Sequence, residues 1–178
     1  MTNTRRRLKV LALAVAALLA GCSTTRVRPP NPDGTYCFRI GKSYRPVLTC
    51  TTSPIPAEHV ERAAKRFEPQ QGLLTVYLVR KRWGDTKNVV RVSSGTQSAE
   101  TVPESLVRWT LPAGNHRLVA TWSEGTASFD VQGSAGQVLF VELIGSVWAW
   151  GSSYHLEQGD PAGSRERALG LRLVADVG

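Results

Sequence analysis

Beyond Gly72 the chain alternates apolar and polar positions with a period of two. Leu74, Val76 and Leu78 interleave with Thr75, Tyr77 and Val79, which predicts a strand buried on one or both faces. Residues 89–92, 106–111, 116–122 and 126–131 carry a similar signature, and Leu118, Ala120 and Trp122 share one face. Residues 138–144 are nearly all apolar, the pattern of a central core strand. A further strand is expected over 147–156, bent at Gly151, and a last one over 171–175 after a weak helical piece near 165–169. Strands at about 8–12-residue spacing, parted by Gly, Ser and Asn turns, predict a mainly β fold over 72–178, a small antiparallel β-sandwich.

Upstream the periodicity changes. Residues 57–66 contain no Gly or Pro, place acids early and bases late, and put Val60, Ala63, Ala64 and Phe67 on one face. That is a short helix, with Pro69 as its expected stop and His59 on its solvated side. Residues 34–71 therefore read as a loop carrying Cys37 and Cys50 followed by this helix. Residues 22–33 are polar and proline-rich with no apolar face, which predicts an extended, flexible tether of up to ~35 Å.

The start of the chain belongs to targeting. Arg5, Arg6, Arg7 and Lys9 precede an apolar run over 10–20, and Leu19-Ala20-Gly21-Cys22 follows. This is the layout of a secretory signal over residues 1–21, too short for a permanent membrane span. The Leu-Ala-Gly-Cys ending resembles the lipobox of bacterial lipoproteins. That resemblance implies lipidation at Cys22, cleavage before it and, with Ser23 next, sorting to the outer membrane facing the periplasm. Several acyl chains hold a protein stably, since each buried methylene adds ~0.8 kcal/mol.

The charge changes meaning once this segment is set apart. The full chain has 22 Lys and Arg against 14 Asp and Glu, a formal +8. Four of the basic residues and none of the acidic ones lie in 1–21, leaving 18 against 14, or +4. Half of the basic excess is a targeting feature, which weakens a nucleic-acid reading, and no nucleic acid is expected as partner. In an oxidising periplasm Cys37 and Cys50 are expected to pair, a closure of 14 residues that stabilises by ~3 kcal/mol in the chain-entropy model. Their spacing matches no zinc pattern.

No catalytic signature stands out. The chain lacks a Gly-x-Ser-x-Gly elbow, a His-Glu-x-x-His helix, a phosphate loop and a dinucleotide glycine fingerprint, so no enzyme activity, metal or cofactor is expected. Glu157, Asp160 and Glu166 could supply a carboxylate pair for a murein hydrolase, but they sit in a Gly/Pro-containing stretch where solvated charge is the plainer reading. Arg80-Lys81-Arg82-Trp83 is a basic-aromatic cluster. It suits either an anionic surface group, through guanidinium–phosphate contact, or a solvated strand end. Trp148 and Trp150, two apart, are expected on one strand face, either in the core or on a binding surface. Arg80, Arg82, Trp83, Trp148, Trp150 and Tyr154 together form the candidate partner patch.

Three segments resemble a known family. Residues 73–80 (Leu-Leu-Thr-Val-Tyr-Leu-Val-Arg) are similar to the opening apolar-Tyr-x-x-Arg strand of bacterial lipoproteins of the domain-of-unknown-function 2846 group. Residues 111–118 resemble its Pro-x-Gly-x-His turn, shared with PEGA-like surface domains, and residues 135–141 its Ala-Gly-x-x-Tyr-Phe strand, with Leu139 at the Tyr position. Residues 92–107 depart from the family pattern. The resemblance spans about residues 70–145 and implies an Ig-like or PEGA-like β-sandwich without a catalytic site. Pro112, Gly114 and His116 would then build a structural turn: Pro presets φ, Gly admits positive φ, and the imidazole bonds a nearby backbone group. The function expected is that of a non-catalytic binding or scaffolding module with an envelope protein as partner. A periplasmic small-ligand or glycan sensor using the aromatic patch is the alternative.

Overall fold

The structure, a computed structural model, describes residues 30–81 and 88–178. It is mainly β, as the alternation predicts. A two-stranded hairpin, β1 (Tyr36–Ile40) and β2 (Val47–Thr51), leads into helix α1 (Glu58–Ala64). Eight strands follow, with no helix between them among the described residues: β3 (Leu73–Arg80), β4 (Val90–Ser94), β5 (Gln97–Thr101), β6 (Ser105–Pro112), β7 (Gly114–Trp122), β8 (Gly125–Gly133), β9 (Val138–Trp148) and β10 (Gly151–Gln158). Helix α2 (Pro161–Leu169) and β11 (Arg172–Val177) close the chain.

Two sheets face each other. One has the order β10-β9-β3-β6-β11 and the other β5-β4-β7-β8. The four-stranded sheet is antiparallel throughout, whereas β3 pairs parallel with β9 and β6 parallel with β11. The central strand of the larger sheet is β3, and β9, expected in the middle, lies next to it.

The apolar runs are long because the five-stranded sheet is buried on both faces. Leu74, Val76 and Leu78 of β3, Val107, Trp109 and Leu111 of β6, and Val141 and Leu143 of β9 meet Val92, Leu118 and Ala120 of the opposite sheet. The alternate residues Tyr77, Val79, Leu106 and Phe140 point the other way, onto Ala64 and Phe67 at the end of α1 and Ala168 of α2. Two helices thus cover the outer face of the larger sheet. Gly133 of β8 packs directly against the Leu74 side chain of β3, leaving no room for a Cβ.

Local chemistry sets the ends of the helices. In α1, Glu58 and Glu61 occupy the first turn and Arg62 the last, favouring the helix dipole. It ends at Ala64, short of Pro69, and Phe67, three residues further on, takes φ +53°. A bulky residue in the left-handed region is held there by packing: its ring lies 4.9 Å from Tyr77 and 5.5 Å from Phe140. In α2, the Asp160 carboxylate accepts from the Gly163 amide at 2.7 Å, and proline occupies the first turn. Asp160, an imagined catalytic acid, is therefore a helix cap.

Several expectations change. Residues 37–50 are not a loop but the β1–β2 hairpin, with Cys37 directly opposite Cys50. Residues 31–33, at the end of the expected tether, form a turn: the Asp33 carboxylate accepts from the Thr35 amide at 3.0 Å, and Gly34 has φ +79°. These donors hold the Asp33 carboxyl below its ordinary range, the Thr35 hydroxyl contributing most. Residues 147–156 are two strands of a hairpin rather than one bent strand. Strand β5 was not legible: Gln97-Ser98-Ala99-Glu100-Thr101 is mostly polar and acquires its conformation by pairing with β4 across the turn at Gly95, φ +58°.

Candidate interaction surface

The residues that sequence reasoning grouped do not stay together. Cys22, Arg82 and Trp83 lie outside the described residues. Arg80, expected in an exposed patch, is fully buried at the end of β3. One guanidinium nitrogen donates to the Thr101 carbonyl at 2.6 Å and to its hydroxyl at 3.0 Å; the other donates to the Asn88 carbonyl at 2.6 Å. Its Cζ lies 5.2 Å from the centre of the Tyr154 ring. Tyr154 is buried as well, and its ring meets Trp122 edge-on at 5.1 Å. Arg80 and Tyr154 form an internal clamp joining β3, β5 and β10, because backbone carbonyls and an aromatic face replace the water that a cation otherwise needs.

Trp148 and Trp150 are the exposed members. They do not share a strand face: Trp148 ends β9 and Trp150 lies in the two-residue turn before Gly151, directly opposite Trp148 in the register. Their exposures are 52% and 87%. The core reading of both residues is thereby corrected. The described pairing of β3 with β9 ends at Arg80 and Leu143, five residues before Trp148. Among the described residues, β9 beyond that point pairs only with β10. Those five residues correspond to ~16 Å of hairpin.

This hairpin is anchored at its flank. The Glu124 carboxylate, in the turn between β7 and β8, accepts from the Ser152 hydroxyl at 2.8 Å and also from the Ser152 amide. A tip held in this way presents its indoles with little ordering cost on contact. Neither Glu124 nor Ser152 carried a sequence signal, because their partnership joins the turns of two hairpins. The glycine after Trp150 was the one available cue that the segment turns.

The turn at Pro112, Gly114 and His116 forms where the chain crosses from one sheet to the other. Gly114 has φ +139°, and the His116 ring Nε2 lies 2.8 Å from the Pro112 carbonyl oxygen. The imidazole closes its own turn. Cys37 and Cys50 are disulfide-bonded. His59 is exposed, and His155 sits 3.6 Å from Glu157 on the surface.

Sequence reasoning missed one buried carboxylate. Glu142 on β9 accepts from the Ser164 hydroxyl at 2.6 Å, contacts Arg167, and lies 3.6 Å from Lys81. It fastens α2 to the sheet. Burial, followed by the nearby Arg167 charge, pulls the Lys81 ammonium below its ordinary range. Among the described residues, no group of three or more His, Cys, Asp or Glu is placed to hold a metal ion. No family model matches the chain, and no curated protein matches it.

Proposed function

We propose that this chain is a lipid-anchored envelope protein, held through Cys22 at the outer membrane and facing the periplasm, that serves as a non-catalytic binding or scaffolding module. The observation carrying the binding role is the β9–β10 tip. Two exposed tryptophans sit at the end of a hairpin fixed by Glu124 and Ser152, and rigid exposed indoles are the side chains that most often dominate protein contacts. The anchor rests on the Leu-Ala-Gly-Cys sequence and the apolar run before it.

The two parts are tested separately. Palmitate should label the wild-type chain and not Cys22→Ser; equal labelling of both sinks the anchor. A photocrosslinking amino acid at position 150 should give one discrete adduct in intact envelopes. The same probe at Ser128, on the outer face of β8, should give none. No adduct at 150, or the same adducts at both positions, refutes the binding role of the tip.

A further inference from the structure

The basic-aromatic surface that the sequence placed at residues 80–83 has a counterpart elsewhere, at the tip of the β1–β2 hairpin. Every residue from Gly41 to Leu48 is exposed, as is Arg39. Arg39, Lys42 and Arg45 supply three cations, and no acidic residue occurs between Asp33 and Glu58. Apolar groups stand among them: Tyr44 is 72% exposed and Leu48 62%, with Val47 beside them. Arg39 and Leu48 are directly opposite each other, on the same outer face as the disulfide, while Phe38 and Ile40 turn toward the core. The Lys42 ammonium lies 5.7 Å from the Tyr44 ring centre.

This tip is built rather than loose. The Cys37–Cys50 bond crosses the hairpin two residues before Arg39 and Leu48. The Arg45 amide donates to the Lys42 carbonyl at 2.9 Å, and the Gly41 amide donates to the Glu104 carboxylate at 2.9 Å. Glu104 thus holds the backbone at the base of the tip.

We propose that this hairpin tip seats on the anionic phospholipid headgroups of the membrane that carries the anchor. The proposal rests on the anchored reading of Cys22. Cations that reach phosphates while an aromatic ring and aliphatic side chains enter the headgroup boundary match the chemistry of a charged lipid interface. The chain length permits it. Cys22 precedes Asn31, where the turn before β1 begins, by nine residues, up to ~30 Å when extended. The five-residue arm of the hairpin needs only ~17 Å of that length to bring its tip back to the same surface. Tethering also makes the contact intramolecular, so a weak patch suffices to orient the domain. Each cation near an anionic surface is worth roughly fivefold in partitioning, and the three together about a hundredfold at low salt.

The test uses the mature lipoprotein. In Ser43→Cys the new thiol is free, with Cys22 acylated and the other two cysteines bonded, and it accepts an environment-sensitive dye. In phosphatidylethanolamine–phosphatidylglycerol vesicles the dye emission should rise severalfold and shift to the blue. The response should fade at high salt, in phosphatidylcholine vesicles, and in the Arg39→Gln/Lys42→Gln/Arg45→Gln variant, whose thermal unfolding should match the parent. A palmitate-bearing sample that shows no dye response at 43, or an equal response from a dye at Ser128, overturns the tip contact and leaves the anchor intact. A sample without palmitate overturns the anchored reading itself.

Discussion

Replacing Arg80 with methionine separates the buried role of this residue from the surface role its sequence suggests. The substitution keeps length and removes the charge. It leaves the Thr101 and Asn88 carbonyls, bonded at 2.6 Å in the parent, without their donor. Unpaired buried acceptors cost about 1–3 kcal/mol each, and the stacked Tyr154 ring loses a desolvated cation worth about 2 kcal/mol. Some of this is offset because methionine needs no solvation, so the net loss expected is about 3–5 kcal/mol. For a chain of this size that lowers the Tm by roughly 10 °C. Arg80→Lys should fall between, since one ammonium cannot span both carbonyls. Urea and thermal unfolding followed by circular dichroism give the comparison. If Arg80→Met unfolds within about 0.5 kcal/mol of the parent, the clamp between β3, β5 and β10 is not an energetic feature of the fold and the reasoning fails.

Trp150→Ala should behave oppositely: the side chain is 87% exposed, so the Tm should stay within about 1–2 °C while the adduct formed by a photocrosslinker at the neighbouring exposed Ala149 is lost. Double substitution of Cys37 and Cys50 by serine removes a closure worth ~3 kcal/mol, and because among the described residues β1 and β2 pair only with each other, hydrogen exchange should accelerate over 36–51 before the sandwich. Acid should release the same hairpin. Burial pushes the Glu100 carboxyl up, but the Thr52 amide and hydroxyl, each at 2.8 Å, together with Arg91, outweigh it and hold the group below its ordinary 4.5. The stabilisation is then fully present above that value and is lost as the pH falls through the lowered folded pKa. Glu100→Gln should remove this pH dependence, and an unchanged acid transition in exchange-monitored unfolding would refute the linkage.

Much of the local structure is legible in the residues themselves. Apolar alternation located most of the strands, the Pro-x-Gly-x-His spacing located a sheet-to-sheet turn, and the charge order of 57–66 located a helix. The missed strand β5 is made largely of polar residues and owes its conformation to a partner's backbone, which leaves no periodicity of its own. Strands β1 and β2 are only five residues each, too short for an alternation to stand out. The candidate patch dispersed for a related reason. Sequence adjacency joined Arg80 to Arg82 and Trp83, while hydrogen bonding joined it to Thr101, Asn88 and Tyr154.

By itself the sequence determined the mainly β architecture, the pairing expected of Cys37 with Cys50, and the turn closed by His116. Each rests on side-chain chemistry acting within a few residues, or on a period set by the backbone. Only the tertiary structure decided that Trp148 and Trp150 face solvent, that a cation lies inside the sandwich, and that Arg39, Lys42 and Arg45 are exposed together at the β1–β2 tip. A charged or aromatic side chain can be buried or exposed with equal chemical sense. Its fate depends on whether acceptors and rings from distant strands arrive to replace water, and that is a property of the assembled layers.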